Sequence, residues 1–247
     1  MSAWVLAEGG DVQVGEHLRW HVLGLTINAD TVISTVIAAV VVIGFGLYLA
    51  AKATSKVPSG LQLTFETVTD QVEGQVESNL GIRTAPFVVP LAIALFFFIL
   101  ISNWLAILPH AWEHYVRPPT SDVNLTFALG LSVMILVWVT GIRIQGKHYF
   151  RHFVEPYPIL LPLNIIEELV KPITLSLRLF GNILAGTVMV GVIGLLPAVI
   201  LWAPTTAWKL FDLFIGILQA LIFALLTIIY FAMATGGHAE EVEEGAH

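Results

Sequence analysis

The sequence predicts an all-α integral membrane protein. It should have about five membrane helices, the last two long, strongly tilted and antiparallel, plus one amphipathic interfacial helix. Three observations predict this. Several runs of about 18 or more residues carry almost no charge, which suits helices crossing a hydrocarbon core about 30 Å thick. Only 12% of the 247 residues are charged, against about 25% in an average soluble domain. The last two apolar stretches exceed the length of one perpendicular crossing. The net charge of −7 comes partly from an acidic tail and says little about partners; no nucleic acid is expected. The absence of cysteine excludes disulfides and thiolate metal sites. At the N-terminus, Trp4-Val5-Leu6 before Glu8 is too short for a signal-peptide core.

Residues 1–29 read as a mixed polar extramembrane arm. Asp30 and Thr31 suit a helix start, and residues 32–51 supply the first span. In residues 60–80, Leu61, Phe65, Val68, Val72, Val76 and Leu80 recur at three- and four-residue spacing. Glu66, Asp70, Glu73 and Glu77 mark another stripe. This amphipathic helix is too polar to span. Its acidic face suits a partner helix better than anionic lipid, and a solvated helix tying two spans together fits equally well.

Pro86 opens a second span, residues 87–108, with Pro90 in its first turn and Asn103 its one strongly polar residue. Asp122 can cap a third span, residues 125–142, after a proline-containing loop. The stretch 163–196 has about 34 residues, roughly 51 Å as a helix, and 205–234 about 30, roughly 45 Å. Both must tilt, break or protrude. Pro172 is a candidate kink, and Pro197 and Pro204 are expected to bracket the hairpin between them. Residues 30–235 thus read as a single membrane domain, and 236–247 as an acidic tail expected to be disordered. Lys52, Lys56, Arg83, Arg143, Lys147 and Arg151 fall on one side under five crossings, which puts the N-terminus outside and the C-terminus in the cytoplasm.

The functional candidate is Arg178, in the middle of a long apolar segment with no acid within five residues. A charge at the bilayer centre costs about 3 kcal/mol or more, so it should face protein or water. Asn164, Glu167, Lys171, Arg178 and Asn182 lie within about 60° of arc on one helix face. Glu167 can pair with Lys171 at i, i+4, and Glu168 at i, i+3, so an interfacial salt-bridge cluster is one reading of these three. For Arg178 the competing reading is a buried structural ion pair with another helix. In the final helix Lys209, Asp212, Gly216, Gln219, Phe223, Thr227 and Tyr230 share a similar arc. Gln219, the deepest strongly polar residue of this helix, can simply hydrogen-bond a neighbouring helix, and facing Asn182 or Arg178 it can do both jobs. Gly216 admits a close neighbour.

An arginine with a pKa above about 12 does not relay protons by losing its own. It can hold an approaching carboxylate ionised. This chain has no other deep acid except Asp212, so a partner subunit with a buried Asp or Glu is the natural supplier. His110-Ala111-Trp112-Glu113-His114 matches an H-x-x-E-H zinc pattern, but it follows Pro109 in a loop and is weak as a metal site. No metal or cofactor is expected.

The segment Lys171-Pro172-Ile173-Thr174-Leu175-Ser176-Leu177-Arg178-Leu179-Phe180-Gly181-Asn182 resembles the signature of subunit a of the F-type ATP synthase. The stretch from Leu218 to Thr227 resembles the family's second signature, and Ser102-Asn103-Trp104 and Asp122-Val123-Asn124 also look like family features. The resemblance covers nearly the whole chain. It implies a proton-channel subunit without catalytic chemistry of its own, packed against a rotating ring of subunit c and held by the peripheral-stalk subunit b. It also implies residence in a bacterial plasma membrane. Arg178 would keep the passing ring carboxylate ionised and block leakage between two offset half-channels. Asn182 and Gln219 would flank it. Asp212, Asn103, Asp122 and Asn124 would line the outer half-channel, with Glu167 and Glu168 near the cytoplasmic exit. The chain departs from many members at Thr187, where they carry a carboxylate, at Asp212, where they carry a histidine or acid, and at Ala106, where some carry an acid.

Two other classes compete. A secondary transporter would show internal repeats and paired broken helices, but no repeat is visible and five spans do not divide into halves. A non-transporting scaffold would use the polar stripes as helix–helix glue.

Overall fold

The computed structural model describes residues 19–22, 25–53, 60–81, 84–105, 118–146, 149, 159 and 161–236. The H-x-x-E-H stretch, Ala106, the acidic tail, Lys56, Arg83, Lys147 and Arg151 lie outside the described residues.

The described chain opens with a short hairpin where a polar arm was expected. Strands β1 (Arg19–Val22) and β2 (Leu25–Asn28) pair antiparallel, with Trp20 opposite Ile27 and Val22 opposite Leu25. Paired positions alternate polar and apolar, as a strand requires, but four residues are too few to register as a period.

Helix α1 (Ala29–Lys52) follows directly. Helix α2 (Gly60–Asn79) buries Val72 and Val76 against α3 (Val88–Trp104) and the last helix, while its acidic stripe is exposed. This chain's own helices thus cover the later part of the apolar stripe, Val72, Val76 and Leu80, while Leu61 is exposed. Phe45 of α1, Phe65 of α2 and Phe97 of α3 meet, the last two stacked at 5.4 Å.

Helix α3 has 17 residues, shorter than the other apolar helices, or roughly 25 Å. A 3-10 turn (Pro119–Ser121) leads into α4 (Val123–Gln145). Asp122 is its N-cap and accepts from the Asn124 amide at 2.8 Å. Helices α1, α4 and the last two are each long and apolar enough to cross a membrane.

Helices α5 (Leu161–Ile193) and α6 (Ala198–Thr235) run 33 and 38 residues without interruption. At about 1.5 Å per residue they are roughly 50 and 57 Å long. A break is therefore not how they accommodate their length. The hairpin turn occupies residues 194–197, so Pro197 precedes α6 but Pro204 lies inside it. Proline has a helix-compatible φ, so the helix continues at the loss of one amide donor to the Ile200 carbonyl. Pro172 is accommodated in α5 in the same way. Helix α6 ends at Gly236, whose φ of 76° and ψ of 40° make a left-handed cap.

The core lies between α3, α4, α5 and α6. Phe223, Phe231, Ile99, Met134, Leu175 and Leu179 are its large fully buried side chains. Gly130 of α4 lets α5 approach closely. A β-carbon there would overlap Ser176 Oγ and stand 3.0 Å from the Pro172 carbonyl oxygen.

Candidate functional site on helices α5 and α6

Helix α5 buries Pro172, Leu175, Ser176, Leu179, Ile183 and Gly186, which recur along one face. The polar stripe lies roughly 100° around the helix from that face. Along it Asn164, Lys171 and Asn182 are half-buried, and Glu167 and Arg178 are exposed. Arg178 makes no hydrogen bond or ion pair with any described residue. The reading of a buried structural ion pair therefore does not hold among the described residues. A β-carbon at neighbouring Gly181 would meet nothing within 4 Å, so the surface beside the guanidinium is open.

Two contacts fix how α5 and α6 run past each other. Lys171 Nζ sits 5.8 Å from the centroid of the Tyr230 ring. Gly186 lies against Asp212, whose Oδ2 and Oδ1 would be 2.9 and 3.0 Å from an added β-carbon. Each step forward on α5 is a step back on α6, so interpolation puts Arg178 and Asn182 within about a turn of the level of Gln219. Gln219 is 6% exposed, and its Nε2 has no hydrogen-bond partner among the described residues. It faces neither Asn182 nor Arg178 closely enough to bond either. A buried amide without a partner costs about 1–3 kcal/mol, so this group is a polar point in an otherwise apolar stretch of α6.

One turn from Gln219, Gly216 is overlain by Asn103 of α3, whose Cβ would stand 3.2 Å from an added β-carbon. Asn103 Nδ2 donates to the Gly216 carbonyl at 3.4 Å, and its Oδ1 accepts from Thr120 Oγ1 at 3.0 Å. Asp212 is half-buried and takes no hydrogen bond from a described residue. Trp208, one turn before it, has a buried indole N–H without a described partner. Among the sequence-predicted residues, Asp212, Asn103 and Gln219 thus line the same stretch of α6.

Asp122 is different. Its Oδ2 accepts from Asn28 Nδ2 at 2.6 Å and Thr31 Oγ1 at 2.8 Å. Its Oδ1 accepts from the Asn124 amide at 2.8 Å and Asn124 Nδ2 at 3.0 Å. Both oxygens of the carboxylate are thus engaged by donors from the starts of the two helices. Asp122 therefore fastens the start of α1 to the start of α4, and Asn124 belongs to that fastening.

At the opposite end of α5, Glu168 forms an ion pair with Lys171 at 2.6 Å and accepts from Trp138 Nε1 of α4 at 2.6 Å. The side chains of Lys171 and Glu168 are 14% and 17% exposed. The predicted i, i+3 pair is formed, and Glu167 stays outside it. Tyr149, buried beside α4, is pushed up to about 12 by burial and then by the Glu168 charge. No group of three His, Cys, Asp or Glu among the described residues could hold a metal ion.

Gly186, Trp138, Thr120 and Trp208 were not singled out from the sequence. Glycine and tryptophan are common in apolar helices, so nothing in the pattern separates these from packing residues.

These features define a helical integral membrane protein with a charged, open stripe at mid-helix. The profile of the family described as ATP synthase A chain matches residues 32–232. The chain is 49% identical to ATP synthase subunit a of Mycobacterium marinum over 257 aligned positions, covering 100% of both chains. It is 48% identical to that of Acidothermus cellulolyticus over 236 positions, covering 94% of this chain and 87% of the relative. For Mycobacterium leprae the identity is 45% over 240 positions, covering 93% and 95%. The chain belongs to the ATP synthase subunit a family, the proton-translocating and non-catalytic component of the membrane sector.

Proposed function

We propose that this chain is the stator subunit that carries protons to and from the carboxylates of a rotating subunit c ring in an F-type ATP synthase. The observation that carries the reading is Arg178: a permanent cation, exposed midway along a membrane-length helix, with no acid of the described chain beside it. Such a charge is stable in a bilayer when a partner brings the counter-charge. A ring carboxylate does so in passing, and the guanidinium favours its ionised form. The same fixed charge raises the barrier to a hydrated proton crossing directly between the half-channels.

The outer half-channel reaches the ring by way of Asn103 and Asp212, with Asp122 and Asn124 anchoring its mouth. The second half-channel leaves near Glu167 and Glu168. Asn182 and Gln219 flank Arg178. The chain sits in a bacterial plasma membrane with its N-terminus outside and C-terminus in the cytoplasm. It works with the ring, the peripheral-stalk subunit b and the remaining synthase subunits.

The test is paired: ATP-driven pumping by vesicles carrying the whole complex, and passive proton uptake by vesicles carrying the membrane sector. Arg178→Ala should abolish pumping while passive uptake persists or rises. Substantial coupled pumping by this variant would overturn the reading.

A further inference from the structure

Glu167 and Glu168 are adjacent in sequence and unlike in setting. Glu167 lies on the exposed stripe that carries Arg178 and makes no described ion pair. Glu168 points into the bundle, held at 2.6 Å by Trp138 of α4 and at 2.6 Å by Lys171 of its own helix. Lys171 in turn lies over the ring of Tyr230 on α6, 5.8 Å from its centroid. Through Glu168 and Lys171 three helices are thus linked, with Glu168 about three turns from Arg178. Lys171 shares the arc of Arg178 yet is compensated, which leaves Arg178 as the uncompensated cation of α5 among the described residues.

Before Pro172 no residue of α5 is fully buried, so apolar contact, which is not directional, sets the rotation of that end of the helix only loosely. Hydrogen bonds are directional, and a bond to a charged acceptor fixes both distance and angle. We propose that Glu168 is a positioning residue. With Trp138 and Lys171 it forms a clasp that sets the rotation of α5 and so aims Arg178 at the ring, and Glu167 alone of the two is the proton-exchanging group at the cytoplasmic end. This rests on the function proposed above.

The clasp and a proton relay make opposite demands on one double substitution. Glu168→Gln keeps an oxygen acceptor for Trp138 but strands the Lys171 charge, and stranding one member of a buried pair is the costly change. Adding Lys171→Gln removes the stranded charge without restoring a carboxyl. Coupled pumping and passive uptake are measured per assembled complex in vesicles. Glu168→Gln should lower pumping by about tenfold and raise the ratio of passive uptake to pumping, because Arg178 is misaimed. The double variant should recover pumping to within about twofold of wild type. Glu167→Gln should be slowed and should not recover with Lys171→Gln.

A Glu168→Gln variant that pumps at the wild-type rate, or a double variant as impaired as the single one, would overturn the proposal. If Glu168→Gln fails to assemble, Trp138→Phe decides: it leaves the ion pair and should still raise the uptake-to-pumping ratio, and an unchanged ratio overturns the clasp. Arg178→Ala in the same series separates the two readings. If that variant pumps, the rotary function fails; if it does not, while the double variant stays impaired, the clasp alone fails.

Discussion

The carboxylate of Asp212 on α6 rests on the backbone of Gly186 on α5, in the space where any other residue would place its β-carbon. This contact brings the acid of α6 against the helix that bears Arg178. Gly186→Ala would put a methyl group 2.9 Å from Asp212 Oδ2, so the carboxylate or the helix must move. Overpacking of this kind costs about 1–3 kcal/mol. The expected outcome is slower pumping with assembly retained, read from vesicle pumping normalised to the amount of complex.

Asp212 is the acid of α6, and Thr187, which follows Gly186 on α5, does not titrate, so this carboxyl should serve the inlet. Asp212→Asn keeps the shape and removes the proton-exchanging group. Pumping should fall and its dependence on pH should change. A rate and profile equal to wild type would show that water and other groups suffice.

Gln219 offers a case where stability and activity should part. Its buried Nε2 has no described partner, so Gln219→Leu removes a desolvation penalty and should leave assembly intact or slightly improved. If the amide positions Arg178 or the ring carboxyl, pumping should still slow by about threefold or more. Thermal stability and ATP-driven pumping of one preparation measure both.

Arg178→Lys keeps a charge but loses the planar, delocalised fork. An ammonium is a more compact and more strongly hydrated ion, and it shifts its pKa readily on burial. Coupled pumping should not return to the wild-type rate. The check is the same pair of vesicle assays, pumping and passive uptake, run beside Arg178→Ala.

Tyr149 yields a pH prediction. Burial and the Glu168 charge both favour the neutral phenol and raise it from 10.0 to about 12. The folded protein therefore holds this proton more tightly than the unfolded chain. The contribution is complete below about pH 10 and is lost as pH rises through about 12. Wild type should lose thermal stability across that window by more than Tyr149→Phe does, measured by melting in detergent.

Much of this architecture was legible in apolar runs, because the bilayer fixes how long a helix must be. The α5 stripe was legible because Asn164, Glu167, Lys171, Arg178 and Asn182 return at helical spacing. Periodicity could not reveal which acid turns inward. Glu167 and Glu168 differ by 100°, and the choice is made by Trp138, about 30 residues away on another helix. Asp122 shows the same limit. Its role as a cap was readable from its place before α4, but its hold on Asn28 and Thr31 depends on residues 94 and 91 positions away. The paired strands Arg19–Val22 and Leu25–Asn28 were missed because each is four residues long.

The fastening of α1 by Asp122 has a consequence for biosynthesis. The start of α1 buries Asp30, Thr31 and Ser34, a polar edge on an otherwise apolar helix. The carboxylate that receives Thr31 is translated 91 residues after it. At about 5–20 residues per second, roughly 5–20 s pass between the two events on the ribosome. Throughout that interval α1 is already long and apolar enough to enter the bilayer, while its polar edge has no acceptor from α4. Insertion and docking of the first helix are therefore separate steps, and α1 waits in the bilayer with its polar edge unclaimed by α4 until the fourth helix arrives.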